Sequence, residues 1–517
     1  MSEIKILWAD DEIDMLKPQL FFLEKKGYKV ETVTNGYDAV DVFSNANDID
    51  VVFLDESMPG ITGLETLTKI KAINANVPVV MITKNEAENL MEEAIGSQID
   101  DYLIKPVNPN QILLTLKKLI DNDRLVSAKT MTDYQQEFRN ISMTISEGLD
   151  FKGWAEAYKN IINWELKLDS SNADNMSEIL NMQKEEANSE FSKFIMRNYE
   201  GWIKENDPPV MSHNLLKNYL FDHLDKKEPN FLFVLDNLRY DQWKILEPVI
   251  RQAFRVDREE SFYSILPTAT QYSRNSIFAG MLPADIEKHY PEYWKNDTDE
   301  GGKNQFESQL MEKQLGRLFR DPIRFDYYKV YNTLGAKIMN DNVNNYFNND
   351  LTVIVYNFID MLSHARTEME VLKELAGNET AYRSLTLSWF KNSPLWAALQ
   401  RISERGAKVF ITTDHGTIRV KKPVKVIGDR DTTTNLRYKL GRMLKYKRNE
   451  VYESRKPKDL GLPSPNVSSA FIFAKESDFF LYPNNYGQYL NMYRDTFQHG
   501  GISLEEVICP FIELSPK

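Results

Sequence analysis

A chain of 517 residues, at about 150 per domain, predicts roughly three domains, and its 42% apolar and 27% charged residues suffice for more than one core. The 63 basic and 76 acidic side chains leave a net charge of −13, which excludes a general nucleic-acid coat, and the single cysteine, Cys509, excludes a disulfide framework or a Cys-rich zinc finger. No run approaches about 18 apolar residues and Met1 to Asp11 lacks the layout of a secretory signal, so the protein is expected to be cytoplasmic, without membrane insertion.

Residues 1–122 alternate short apolar runs with helical patterns. Ile4–Ala9, Val51–Leu54, Val79–Thr83 and Tyr102–Lys105 read as strands of an α/β, doubly wound parallel sheet. Such sheets place chemistry beyond the carboxyl ends of their strands, where Asp10, Asp11 and Asp55 stand.

Residues 123–229 lack strand signals. Phe151, Ala155, Tyr158, Ile162 and Leu166 recur at helical spacing, as do Phe191, Ile195, Tyr199 and Trp202. From 124 to 225 there are 11 basic and 17 acidic residues. That balance argues against a phosphate-binding helix-turn-helix and against specific duplex DNA binding. An all-α bundle acting as connector or dimer spacer is the expectation.

Residues 230–517 return to an α/β pattern. Phe231–Leu235, Leu351–Phe358 and Val409–Thr413 each run straight into polar residues, and a Pro- and aromatic-rich stretch, about 283–350, reads as an inserted cap.

The first block offers phosphoacceptor chemistry. A carboxylate accepts a phosphoryl group when a divalent cation offsets the incoming charge and a lysine neutralises the product. Asp10 and Asp11 suit the ion, Asp55 the acceptor, and Thr83 and Lys105-Pro106 stand at two further strand ends, with Met58-Pro59-Gly60 and Gly63 after Asp55. In this order the block resembles a two-component receiver domain. The resemblance implies Mg²⁺ held by Asp10 or Asp11, Asp55 and the Ser57 carbonyl. It also implies Thr83 bonding the phosphoryl group, Lys105 pairing with it, Tyr102 as the aromatic switch, and a cognate sensor histidine kinase as partner. Glu56 suggests nothing by itself.

The third block holds three of the six histidines in loaded contexts: Asp360-Met-Leu-Ser-His364, Asp414-His415-Gly416 and His499-Gly500-Gly501. Asp236 closes the strand Phe231–Leu235. Imidazole and carboxylate are what zinc takes without thiolate, and two metals about 4 Å apart can clamp an in-line phosphoryl displacement. The nucleophile is then a hydroxyl, and Pro267-Thr268-Ala-Thr270-Gln-Tyr-Ser-Arg274 offers two at a helix entry that favours phosphate. Arg274, one helical turn past Thr270, can reach a phosphate oxygen or an acid.

This order resembles the alkaline phosphatase superfamily, in its PglZ branch, and Pro267 to Pro283 is also similar to the nucleotide pyrophosphatase/phosphodiesterase branch. The resemblance implies Thr270 as nucleophile, one zinc on Asp236, Asp414 and His415, and a second on Asp360, His364 and His499. Sulfatase chemistry is disfavoured, since Cys509 sits in Cys-Pro-Phe far from the helix entry. No third-metal ligand set of the kind found in broad-specificity monophosphatases is identifiable.

Between 417 and 458 there are 14 basic residues against four acids, interleaved with Tyr438, Tyr446 and Tyr452. Lys445, Lys447 and Arg448 in this segment are candidate contacts for a phosphodiester chain, the alternative being a solvated charged face. Together the three blocks resemble the PorX-type response regulators, associated with control of type IX secretion. The expectation is a phosphorylation-regulated zinc phosphodiesterase acting on cyclic or linear nucleotides and short oligonucleotides. A phosphorylation-dependent homodimer, with secretion-system or transcription-regulatory proteins as further partners, accompanies it. The rival expectation is a non-catalytic output module that binds protein partners and uses zinc structurally.

Overall fold

Five parallel strands form the first sheet: β1 (Lys5–Ala9), β2 (Lys29–Val33), β3 (Val51–Asp55), β4 (Val79–Thr83) and β5 (Asp101–Ile104), in the order β2-β1-β3-β4-β5. They belong to a computed structural model that describes residues 4–46, 48–84, 99–120, 122–170, 174–204, 208–224, 228–362, 377–429, 432–466 and 468–517. Alternate side chains serve opposite faces of a strand. Ile6, Trp8, Phe53, Val80 and Ile82 therefore pack with α1 (Lys17–Lys25) and α4 (Pro109–Ile120), while Leu7, Ala9, Val52, Leu54 and Val79 pack with α2 (Gly36–Asn45) and α3 (Gly63–Ile73). Burial on both faces is why the central strands read as unbroken apolar runs.

The chain divides into two compact units, Met1–Thr132 and Asp133–Lys517, with the boundary inside the long helix α5 (Asn122–Glu147). In the second unit, α6 (Phe151–Ser170) and α7 (Asp174–Lys204) follow, and the predicted helical faces are their buried ones: Tyr158, Ile162, Phe191, Ile195, Tyr199 and Trp202. These helices pack on the downstream α/β fold. Buried Arg383 pairs with Glu165 and Asp169 of α6 as well as with Asp241, and the Tyr263 hydroxyl donates to the Phe151 carbonyl at 2.6 Å. From Asp133 onward the expected connector is thus part of the same compact unit as the third block.

The main sheet of the second unit uses β6 (Asn230–Leu235), β7 (Phe254–Tyr263), β8 (Phe325–Val330), β9 (Leu351–Tyr356) and β10 (Lys408–Thr412). Its order is β7, then the strand Ile508–Pro516, then β10-β6-β9-β8. β10, β6, β9 and β8 are mutually parallel, and Ile508–Pro516 is antiparallel to both β10 and β7. β8 lies within the stretch expected as a cap. Its sequence Phe-Asp-Tyr-Tyr-Lys-Val has no apolar run because an edge strand is only half covered, so the part of 283–350 outside the sheet is shorter than expected. Among the described residues no helix is long and apolar enough to cross a membrane.

Candidate active site and receiver pocket

Asp10 follows β1, Asp55 ends β3, Thr83 ends β4 and Lys105 follows β5, so the parallel sheet delivers all four to one edge. Oxygens of Asp10, Asp11 and Asp55 lie within 4.8 Å of one another. Lys105 Nζ sits 2.9 Å from Asp10 Oδ2 and 2.9 Å from Asp55 Oδ1. Burial pushes the Asp55 carboxyl above its usual range, against the opposing pull of Lys105 and with the help of Asp10. A divalent cation here would offset that crowding, and the all-oxygen donor set suits a hard ion. Gly63 is required sterically, since a Cβ there would stand 2.4 Å from the Asp55 carbonyl oxygen. Ser57 lies in the loop after β3, and Tyr102 on β5 is 41% exposed. The Thr83 hydroxyl donates to the Glu56 carboxylate, a partner that the sequence did not suggest.

In the second unit the carboxyl ends of β6, β9 and β10 lead to Asp236, Asp360 and Asp414-His415 respectively. Asp236, Asp414 and His415 are buried with ligand atoms within 4.8 Å of one another. Thr270 opens α8 (Thr270–Ala279), half-buried, with its Oγ1 3.1 Å from His415 Nε2. His415 Nδ1 lies 3.0 Å from the Gly416 carbonyl oxygen, which can only accept. The proton therefore sits on Nδ1 and the Nε2 lone pair faces Thr270. His499 repeats the pattern. Its Nδ1 is 3.1 Å from the Thr268 carbonyl oxygen, and its Nε2 turns to Asp360 Oδ1 at 3.9 Å. The two rings stack with centroids 4.2 Å apart. Backbone carbonyls that fix an imidazole tautomer in this way are the usual support of metal-ligating histidines. His364 lies outside the described residues.

Charge favours a cation as well. Arg274, only 1% exposed, bonds Asp236 at 2.7 Å and Glu307 at 2.6 Å and stands 3.7 Å from Asp414. Glu307 is also paired with Lys329 at 2.8 Å, so two cations face three acids, and the negative charge left over is costly unless paired. Burial drives the Asp236 carboxyl well above its usual range, opposed by Arg274 and reinforced by Asp414 and Asp360. Asp414 feels the same burial, but the charge of Arg274 and the backbone N–H of Asn237 help to hold it low. Asp236 Oδ1 and Asp414 Oδ2 have no hydrogen-bond partner. Orphaned buried carboxylate oxygens beside the His415 and His499 Nε2 atoms, both directed into the same cluster of acids, fit divalent metal binding. With its Nη1 and Nε on carboxylates, Arg274 takes acids, one of the two kinds of partner its position left open, and orients Asp236.

Thr268, fully buried, donates to the Gly501 carbonyl at 2.9 Å and accepts from Gly500 N at 3.0 Å. It ties the helix entry to the His499 loop. Gly416 is enforced by close approach, for a Cβ there would lie 1.9 Å from the Glu505 carbonyl oxygen. Three contributors escaped the sequence. Asn237, at φ 66°, donates its backbone N–H to Asp414 and its amide to Asp360. Glu307 anchors Arg274, and Asn304 donates to the Thr270 carbonyl. An Asn directly after a strand-end Asp is a usable signal, whereas nothing local marks Glu307.

Lys445, Lys447 and Arg448 are exposed, the last two pairing with Glu450 and Glu453. Other charges of that segment turn inward. Arg437 is buried against Glu506, and Lys439 is buried, with desolvation lowering its pKa to about 7.

Comparison with known proteins gives three matches along the chain. The profile described as "BREX system PglZ alkaline phosphatase-like domain" matches residues 215–514, that of the "PorX response regulator linker domain" 124–203, and that of the "Response regulator receiver domain" 6–117. The response regulator SaeR of Staphylococcus aureus (strain USA300) is 32% identical over 115 residues, 22% of this chain and 50% of SaeR. The chain thus spans about half the length of the curated relatives it matches. Among solved structures, a CheY-like receiver domain protein from Methanospirillum hungatei JF-1 is 26% identical, covering 23% of this chain and 96% of its own, with a TM-score of 0.23. A receiver domain protein from Clostridium thermocellum is 30% identical, covering 24% and 98%, with a TM-score of 0.23.

Proposed function

The chain belongs to the PglZ family of alkaline-phosphatase-like domains, here in a PorX-type response regulator, and on that premise we propose that it is a phosphorylation-regulated, zinc-dependent phosphodiesterase of nucleotides and short oligonucleotides. Its receiver domain implies a sensor kinase as phosphoryl donor. Control of type IX secretion is the cellular role proposed with it. The observation that carries the activity is the Thr270 hydroxyl 3.1 Å from Nε2 of His415, beside orphaned carboxylate oxygens of Asp236 and Asp414.

Asp236, Asp414 and His415 would hold one cation, and Asp360 and His499, with His364, a second. Bound there, the two ions would act as Lewis acids, activating the hydroxyl and offsetting charge on the phosphoryl oxygens. Thr270 supplies the attacking oxygen: its hydroxyl gives up its proton to solvent, and a Thr270 Oγ–P bond forms as the bond from phosphorus to the leaving alcohol oxygen breaks. That alcohol takes up a proton from solvent. Water then hydrolyses the phosphothreonine and restores the hydroxyl. The N-terminus of α8 directs backbone N–H groups toward the phosphoryl group. Arg274 keeps Asp236 oriented, and the Gly416 and Thr268 carbonyls hold both imidazoles in one tautomer.

A diester carries one negative charge fewer than a monoester and demands less cationic compensation. With no third-metal ligand set evident in the sequence, bis-p-nitrophenyl phosphate should exceed p-nitrophenyl phosphate in kcat/KM. Both activities should vanish on chelation and return with zinc. A preference for the monoester would overturn the diesterase assignment, and inactivity of the zinc-loaded protein on every diester would favour the non-catalytic reading.

A further inference from the structure

Beside Asp360 lies a second concavity that phosphoryl chemistry does not use. A cavity of about 300 Å³ opens at the carboxyl ends of β8 and β9, walled by Tyr331, Phe358, Met361 and Trp389, with Asn332 and Asn392 at its margin. That is the lower end of the range for small-ligand clefts, about 300–1,000 Å³. We infer that it is the subsite for one nucleobase of the substrate, a deepening that rests on the phosphodiesterase reading above.

Geometry links it to the reacting centre. β8 pairs in parallel with β9, Val330 opposite Tyr356, so the residues after both strands emerge side by side. Residues 357–362 begin a helical turn, with Met361 N donating to the Asn357 carbonyl. On such a turn Phe358 and Met361, three apart, share a face, and Asp360 points away from it. One turn thus carries a candidate metal ligand on one side and two cavity walls on the other. The cavity and Asp360 sit on either side of a single turn, at the edge of the sheet that also carries Asp236 and Asp414.

The lining matches a flat aromatic guest. Phe358 and Trp389 are stacked, with centroids 3.6 Å apart and planes 5° from parallel, forming a rigid platform. Tyr331 is 56% and Met361 45% exposed, large apolar surfaces left open to solvent. Stacking on such rings tolerates any base, because every base has a π-face, and thioethers add soft contacts with rings. Edge recognition comes from the two amides. Asn332 uses its Oδ1 on Gly335 N, and Asn392 uses its Nδ2 on the Ser388 carbonyl, so the remaining amide ends present one donor group and one acceptor.

Two esters with the same leaving group test the inference on the zinc-loaded full chain: thymidine 5′-(p-nitrophenyl phosphate) and methyl p-nitrophenyl phosphate. Wild type should favour the thymidine ester. Tyr331→Ala and Met361→Ala, both at exposed positions, should raise KM for that ester about 5- to 100-fold, the effect of removing a stacking partner. The methyl ester should keep its kcat/KM. Equal treatment of the two esters by wild type, or an equal loss on both in the variants, would overturn the subsite. If neither ester is cleaved, the activity reading has failed independently, and calorimetric titration with AMP against inorganic phosphate decides the subsite. Tighter AMP binding that Tyr331→Ala abolishes upholds it, and equal affinity for the two ligands removes it.

Discussion

The Tyr199 hydroxyl accepts a 2.8 Å hydrogen bond from the backbone N–H of Leu266, the residue that introduces Pro267 and the Thr270 helix entry. Seven and eleven residues earlier on α7, Ser192 donates to the Ile502 carbonyl, and Asn188 accepts from Leu504 N at 2.8 Å. One helix of the linker therefore holds both the nucleophile loop and the segment after His499. Tyr199→Phe strips the acceptor from a buried N–H, a loss of about 1–3 kcal/mol. We expect kcat to fall roughly tenfold, the kinetic equivalent of about 1.4 kcal/mol, with zinc content unchanged. Wild-type kcat in this variant would show that the loop is held without the linker.

Thr270→Ala removes the attacking oxygen and nothing that binds metal. Turnover of diesters should drop by several orders of magnitude while metal analysis still finds the wild-type zinc content. Thr268→Ala should behave differently. It breaks two buried hydrogen bonds between the helix entry and the Gly500-Gly501 turn, so lowered thermal stability with residual activity is expected. A fully active Thr270→Ala beside a dead, folded Thr268→Ala would exchange the two roles.

What the sequence disclosed follows burial. β3 and β10 are covered on both faces and read as apolar runs ending at Asp55 and Asp414. β2, with Lys29-Val-Glu-Thr-Val, and β8 are edges with half-open faces, and neither showed as a strand. Site residues at strand ends were legible because strand and acid adjoin in sequence. Glu307 was not, since its role depends on Arg274 arriving from 33 residues away. Arg274 itself was legible as a charge near Thr270, but helical spacing cannot tell whether phosphate or carboxylate closes the contact.

The basic segment tests differently now that its charges are divided. Arg437 and Lys439 are internal, so an external phosphodiester contact falls to residues such as Lys445, Lys447 and Arg448. Changing these three to Glu should weaken oligonucleotide turnover and flatten its salt dependence, leaving a small diester untouched. Equal loss on both substrates would assign the charges to folding or docking.

His213 gives a pH signature of stability. Burial lowers its pKa to about 4 and Nδ1 lacks a partner, so the native state holds it neutral. Its unfolded value is near 6.5. Between those values the unfolded chain binds the extra proton, so the contribution is fully present above pH 6.5 and is lost as pH falls toward 4. The loss reaches about 3 kcal/mol. His213→Gln should remove it, so the difference in urea stability between wild type and variant should change with pH only in that window. A constant difference from pH 7 to 4 would place the imidazole in contact with water.

The last expectation concerns the receiver and the residue the sequence left unassigned. Phosphorylation of Asp55 should recruit the Thr83 hydroxyl, which now donates to Glu56. Glu56 thus competes with the phosphoryl oxygens for the same proton. Glu56→Ala should bind beryllofluoride with Mg²⁺ more tightly, whereas Asp55→Ala should not respond to it and should retain basal diesterase activity. In wild type the mimic should convert monomer to dimer by light scattering and raise the rate on oligonucleotides, and in Glu56→Ala the same conversion should need less mimic. Unchanged affinity in Glu56→Ala would mean that the Thr83–Glu56 bond does not restrain the switch. Dimerisation without a change in rate would make the receiver a docking switch and would separate phosphorylation from catalysis.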